Sequence, residues 1–325
     1  MRYVTRRLGF YLLTAVVAIT INFLVPHLMP GNPAQILIAN FRGRVSPAAV
    51  KSISALFGIS HAPLWSQYLT YWRQLLHGNL GISFSFYPAT VASVIERSLP
   101  WTIWLVGTAT VISFVVGTLM GIGVAWRRGS WLDATVPVTT FFSAVPYFWF
   151  GLVVVYVFGV VLHWFPLFGG YSSGTTIGWS WSFMASAFYY SILPATTIVV
   201  SSIAGWLLGM RNMMITTIGD DYIVLAEAEG LTERRIMLAY AARNAILPSI
   251  ADFALSLGFV VSGAILTEIV FSYPGIGYVL YQAVDNEDYP LMQGVFLVIT
   301  LAVLAANLVA DLCYGALDPR TRQGG

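Results

Sequence analysis

Charge is what this chain has least of: 9% of its 325 residues are Asp, Glu, Lys or Arg, against 58% apolar. So few charges cannot clothe a water-soluble surface of this size, which excludes the soluble classes and leaves a multi-pass membrane protein. Lysine is almost missing. The one lysine, Lys51, follows no glycine loop, and no G-x-x-x-x-G-K-[ST] stretch occurs, so the chain is not a P-loop ATPase by itself. The single cysteine, Cys313, excludes an internal disulfide and reads as a packed thiol at the end of the last apolar run. Four histidines, His27, His61, His77 and His163, show no metal-ligand spacing, and no G-x-S-x-G nucleophile turn is found. No catalytic residue and no metal site is assigned. A net charge of +2, with the basic residues dispersed, gives no footing for nucleic acid.

What the chain does have is long apolar runs. A bilayer core takes roughly 20 mostly apolar residues per helix, and six runs qualify, at 8–28, 99–124, 135–161, 192–210, 246–270 and 292–312. The expected fold is an all-α membrane protein of six transmembrane helices. The first run follows Arg2, Arg6 and Arg7 but is longer than a signal-peptide core, and it reads as an uncleaved first helix over 1–29. Placing the N-terminus in the cytoplasm puts Arg127, Arg128, the arginines of 211–243, Arg320 and Arg322 on the inner side, as the positive-inside rule asks. Both termini are then cytoplasmic. Residues 30–98 become an extracytoplasmic insertion, with one helix from Ser46 and Pro47 to a stop at Gly58 and a second from Pro63 to His77 ended by Gly78. Five helices over 99–325 form the core.

Gly117 with Gly121, and Gly205 with Gly209, are small-xxx-small pairs expected to pack helices closely. Pro146 and Pro194 predict kinks or helix starts. Ser201, Ser202, Ser262, Glu268 and Asn307 are the candidates to line a pathway, although helix–helix hydrogen bonding accounts for the neutral ones equally well. Glu268 can equally tie its helix end to the turn that follows. Asp252 and Asp311 read as structural partners of loop arginines. The turn at Tyr273, Pro274 and Gly275 and the aromatic stretch 179–190 face outward, as interfacial anchors or as a docking place for an external protein.

Of 16 basic and 14 acidic residues, eight fall in 220–243: Asp220, Asp221, Glu227, Glu229, Glu233, Arg234, Arg235 and Arg243. This loop, 214–247, separates two spans. Its sequence predicts two short helices, the first ended by Gly230, the second capped by Thr232, with Pro248 opening the fifth span and Ala226, Ala228 and Gly230 exposed beside the charges. Solvation of an inner loop would explain the charges without any partner.

The order of residues says more. D-Y-I-V-L-A-E-A-E-G-L-T-E-R-R followed by R-N-A-I-L-P resembles the cytoplasmic EAA-type loop of binding-protein-dependent ABC import permeases, in the form found in oligopeptide and dipeptide permeases. R-R-L-G-F-Y-L-L with H-L-M-P-G-N-P, then P-L-W-S-Q-Y-L, G-N-L-G-I-S-F, W-R-R-G-S-W-L-D, P-Y-F-W-F-G-L, T-E-I-V-F-S-Y-P-G-I-G and A-L-D-P-R are similar to the B-type permease subunit along nearly the whole chain. The resemblance implies half of a translocation pathway in an ATP-driven importer of oligopeptides or dipeptides, in a bacterial cytoplasmic membrane. Nickel complexes or another small solute are the alternative cargo. It also implies a homologous C-type permease, two cytoplasmic ABC ATPase subunits or one fused chain, and an extracytoplasmic substrate-binding protein. ATP and Mg would belong to those partners, with no cofactor in this chain and no nucleic acid.

By the same resemblance Ala226, Glu227, Ala228, Gly230, Leu231, Glu233 and Arg234 form the ATPase-coupling contact, and Tyr273, Pro274 and Gly275 are candidates for binding-protein docking. The generic glutamate and first alanine fall on Val224 and Leu225, so Ala226 alone keeps the literal pattern. Glu227 and Glu229 stand where relatives carry basic residues, which implies a more basic ATPase groove or a displaced contact. An ion-coupled secondary transporter would need midplane charges and broken helices, and a membrane enzyme a convergent catalytic set.

Overall fold

The computed structural model describes residues 2–28, 62–127, 129–262 and 264–317, with side chains from Arg6 to Val309 except Pro26. The expected helix from Ser46 to Gly58, Lys51, His61, Arg128, the A-L-D-P-R end from Asp318 onward with Arg322, and the side chains of Asp311 and Cys313 lie outside the described residues.

Helix α1, Arg2–Leu28, is followed by a short amphipathic α2, Leu64–Leu76, with Pro63 at its N-cap and His77 at its C-cap. Gly78 adopts φ +70° there, and Asn79 N–H closes back on Gln74 O at 2.9 Å, so the glycine stop predicted from sequence is real. Helices α3, Val91–Trp126, and α6, Trp181–Ile218, form the axis of the bundle. Thr90 and Ser180 cap them by accepting from the backbone N–H of Ser93 and Phe183. At 1.5 Å per residue each is about 55 Å long, well beyond a bilayer core of about 30 Å.

Between them, a 3₁₀ turn, Trp131–Ala134, leads into α4, Thr135–Ala144, and after a break into α5, Tyr147–Val154, which continues as a π-helical stretch, Val155–Val161. A short α7, Asp221–Ala228, precedes α8, which runs over Glu233–Ser262 and includes a π-helical stretch, Ile236–Ala242. Then come α9, Ile265–Val270, α10, Ile276–Asp285, and α11, Tyr289–Leu317.

Among the described residues five helices are long and apolar enough to cross a membrane, or six when the pair Trp131–Ala144 and Tyr147–Val161 is one span bent by 98°. The third span is thus broken, with Pro146 at the N-cap of α5 because its missing N–H is no loss at a helix start. Pro194, by contrast, sits inside α6. The fifth span departs most from the sequence expectation. It begins at Glu233, not Pro248, which lies inside the helix, and it ends at Ser262. Residues 265–270 form a separate helix, from which Glu268 reaches Thr102 of α3 and the backbone N–H of Gly277.

Gly117 and Gly121 set the α3–α6 contact. A Cβ on Gly117 would lie 2.6 Å from Trp206 Cβ and 2.8 Å from Ile203 O, and one on Gly121 2.6 Å from Leu207 O. Any side chain there would drive the backbones apart. Gly205 and Gly209 do not share this role: they lie on the exposed side of α6, with nothing within 4 Å of an added Cβ. Phe114 of α3 stacks on Phe253 of α8 at 4.3 Å and meets Trp206 edge-on at 5.2 Å, filling the groove beside the glycines.

Candidate functional site

The two ends of the bundle are built differently. At the end bearing α10, Glu268 is fully buried. Its Oε1 accepts from Thr102 Oγ1 at 2.8 Å, and its Oε2 accepts from the backbone N–H of Gly277 at 2.7 Å and of Tyr278 at 3.2 Å. Ile276 N–H in turn donates to Thr102 Oγ1 at 2.8 Å. The carboxylate therefore caps the first turn of α10 from outside that helix, where orphan N–H groups and the dipole both favour negative charge. The P-G-I-G glycines make this possible. A Cβ on Gly275 would collide with the Glu268 carboxyl, and one on Gly277 would lie 2.7 Å from Ile265 Cα.

Glu268 is thus held inside the bundle, with its carboxylate bridging α3 and the first turn of α10. The docking candidates lie at the same end. Tyr273 and Gly275 are buried and Pro274 half-buried. Ser272, at φ 45°, ends α9 while Tyr273 N–H closes on Glu268 O at 2.8 Å, which swings the tyrosine ring inward. Its hydroxyl meets Ser191 Oγ at 3.0 Å and its ring lies edge-on to Trp101 at 5.6 Å. Burial pushes the Tyr273 phenol up from its ordinary value, so it stays a neutral hydrogen-bonding group.

Sequence reasoning missed a second anchor at this end. Asp288 is fully buried; its Oδ2 accepts from Ser83 Oγ at 2.5 Å and Ser85 N–H at 2.9 Å, and its Oδ1 caps α11 by accepting from Leu291 N–H at 3.1 Å. Ser83 belongs to G-N-L-G-I-S-F, so that stretch is the loop that Asp288 holds. The spacing of Asp288 before Tyr289 and Pro290 was a helix-start signal that could have found it. Beside it, Asn22 of α1 donates to Gln293 O of α11 at 2.8 Å, and Tyr71 of α2 bonds Asn22 while Thr20 meets Tyr68 at 2.8 Å. Burial raises the Tyr71 phenol above its usual value, which keeps it neutral.

Midway along the bundle, the break between α4 and α5 opens a cavity of about 430 Å³ lined by Ser143, Pro146, Tyr147, Ser201, Ser202 and Ala264, among others. Two of the pathway candidates, Ser201 and Ser202, thus come together. Ser262 bonds its own helix at Phe259 O and Asn307 is half-buried on α11; neither lines this cavity. Asp252 is exposed on α8.

At the opposite end lies α7. Ile223 and Ala226 are buried in a cluster with Ile122 and Ala125 of α3, Met210 and Met214 of α6, and Ile236, Ala241, Ala242 and Ala245 of α8. Gly230, at φ +74°, closes the helix: Gly230 N–H donates to Glu227 O at 2.9 Å and Leu231 N–H to Ala226 O at 3.3 Å. This paired closure is a Schellman cap, which asks for glycine at Gly230 and an apolar contact between Leu231 and Ala226. The A-E-A-E-G-L sequence is thereby explained by folding. The expectation that Ala226 is exposed is corrected, since only its small size lets α7 lie this close to the bundle. Leu231 also packs inward. Glu227, Ala228, Glu229, Gly230, Glu233 and Arg234 are exposed, as are Val224 and Leu225 at 59% and 60%. Asn244, from R-N-A-I-L-P, donates to Tyr222 OH at 2.9 Å and ties α8 back to α7.

A broken third span, and a short helix seated on the end of the bundle through small residues while its other face is bare, place the chain among polytopic helical membrane proteins. The family described as binding-protein-dependent transport system inner membrane component matches residues 113–323, and the chain belongs to it. It is 32% identical over 341 residues to the dipeptide transport system permease protein of Escherichia coli K12, covering 99% of both chains. It is likewise 32% identical to the di/tripeptide transport system permease protein of Pseudomonas aeruginosa over 98% of each chain, and 30% identical to the dipeptide permease of Alkalihalophilus pseudofirmus over 98% of this chain.

Proposed function

We propose that this chain is the B-type permease subunit of an ATP-driven importer of short peptides, forming half of the pathway beside a homologous C-type permease. End-to-end similarity to permeases named for di- and tripeptide transport carries the reading. Two ABC ATPase subunits, or one fused chain, bind ATP and Mg on the cytoplasmic side, where both termini lie, and a substrate-binding protein delivers cargo from outside. This subunit moves and does not hydrolyse.

The α7 geometry supplies the means of coupling. Its buried face touches α3, α6 and α8 at once, so a displacement of α7 is passed to three spans through one close-packed cluster. Its bare face offers Val224, Leu225 and Ala228 as an apolar centre. Around them stand Asp220, Asp221, Glu227 and Glu229, all exposed. The first two suit the positive N-terminus of α7, but Glu227 and Glu229 lie at its C-terminal end, which has no basic residue in its last turn. Within the chain those two carboxylates oppose the helix dipole, and a basic rim on the ATPase groove would reverse the sign of their contribution. The apolar centre would supply affinity and the acids register.

The test is purification of the complex from its native membrane, then uptake of a labelled dipeptide into vesicles. Peptide uptake and peptide-stimulated ATP hydrolysis are expected together, and E227K/E229K should retain basal hydrolysis while losing uptake. A chain that purifies with no ATPase, or a reversed variant with unchanged uptake, refutes the assignment of α7.

A further inference from the structure

The cavity at the α4–α5 break has no charged side chain in its lining, and its serine hydroxyls are oriented alike. Ser201 donates to Thr197 O at 2.9 Å, Ser202 to Ile198 O at 2.7 Å, and Ser143 to Ser201 O at 2.9 Å. A hydroxyl has one hydrogen and two lone pairs. With all three hydrogens spent on backbone carbonyls, what the serines offer the cavity is acceptors.

The break supplies the complement. Val145 N–H donates to Phe142 O, and the first helical closure of α5 is Phe150 N–H on Pro146 O at 3.1 Å. The N–H groups of the turn between, from Tyr147 onward, have no acceptor within their helix. At bilayer depth such backbone is tolerated where it is buried in protein or lines a water-filled cavity, and Pro146 and Tyr147 line this one. The volume of about 430 Å³ is room for more than ten waters at about 30 Å³ each. A carboxylate meeting serine lone pairs, or an ammonium with only neutral acceptors, would lose hydration without recompense. An amide matches both walls, its N–H on serine oxygen and its C=O toward the break.

We propose that this cavity is a transit subsite for the backbone amides of the cargo, with Ser201 and Ser202 accepting the amide N–H. The proposal rests on the peptide reading given above. It predicts discrimination between dialanine and its analogue in which an ester oxygen replaces the amide N–H. Using the complex as it co-purifies, in vesicles with the binding protein supplied, the wild type should accumulate dialanine faster than the ester. In S201A/S202A that ratio should fall about five- to tenfold below its wild-type value, the worth of one net hydrogen bond. Comparing ratios cancels selection by the binding protein, which is the same in both. Should the double variant fail to assemble, S201C, which keeps the volume but offers only a weak sulfur acceptor, should lower the ratio in the same direction. A ratio unchanged in the variants overturns the subsite alone. A wild type that accumulates neither compound overturns the peptide reading itself.

Discussion

Replacing Glu268 separates the structural role of this carboxylate from any transport role. Alanine would leave three donors without their acceptor: the Thr102 hydroxyl and Gly277 N–H, both buried, and Tyr278 N–H, half-buried. At about 1–3 kcal/mol for each buried donor left unpaired, and less for Tyr278, the loss is about 3–5 kcal/mol. Glutamine is milder. With its carbonyl oxygen toward Gly277 and Tyr278 and its amide donating to Thr102 Oγ1, two of three bonds survive, and the loss is about 1–2 kcal/mol. Thermal unfolding in detergent, followed by tryptophan fluorescence, should therefore rank wild type above Glu268→Gln above Glu268→Ala. Thr102→Val should be strongly non-additive with Glu268→Gln, since both act on one network. An alanine variant that melts with the wild type, or strict additivity of the pair, would refute the assignment of Glu268 as the anchor of α10.

Three further outcomes are expected. Gly121→Ala has to clear a backbone carbonyl at 2.6 Å and should cost about 1–3 kcal/mol in a detergent melt, whereas Gly205→Ala, facing open space, should leave the melt of the isolated chain unchanged. Ser83→Ala deprives buried Asp288 of a charge-assisted bond and should destabilise by about 1.5–3 kcal/mol, visible as faster proteolysis in the loop before α3. Ala226→Leu should lower the yield of folded chain because Ala226 is 3% exposed, while Leu225→Ala should fold normally and reduce ATPase co-purification.

How far the sequence was legible depended on which physical effect set each feature. Spans were readable because hydrophobic length is a local property: the runs at 8–28, 99–124, 192–210 and 292–312 all lie within observed helices. Helix stops at Gly78 and Gly230 were readable for the same reason, because a left-handed residue is a local demand. The fate of Glu268 was not. Its partner Thr102 is 166 residues away, and nothing in either segment announces the other. Nor could glycine spacing tell Gly117 and Gly121, which are clamped, from Gly205 and Gly209, which are bare. The register of α7 lay between these cases. Ile223 and Ala226, three apart, are the inward stripe, but a helix of eight residues with apolar side chains on every side gives pattern alone no means to choose Ala226 over Leu225.

These differences bear on how the subunit moves under the proposed function. Motion entering through α7 reaches α3 and α6, which cannot slide freely past each other, because at Gly117 and Gly121 the backbones are already as close as sterics permit. At the far end the Glu268 and Asp288 anchors bind α10 and α11 to the start of α3 and the loop before it. A displacement of α7 must then be absorbed where regular α-helical hydrogen bonding is already altered: at the 98° break after α4, in the π-helical stretches after α5 and within α8, and after Ser262. The first and last of these places also contribute Pro146 and Ala264 to the cavity that holds Ser201 and Ser202. Spin labels placed across the α4–α5 break should therefore change separation on ATP binding while a pair across the α3–α6 glycine contact stays fixed; the reverse pattern would mean that the glycine contact, not the break, is the moving joint.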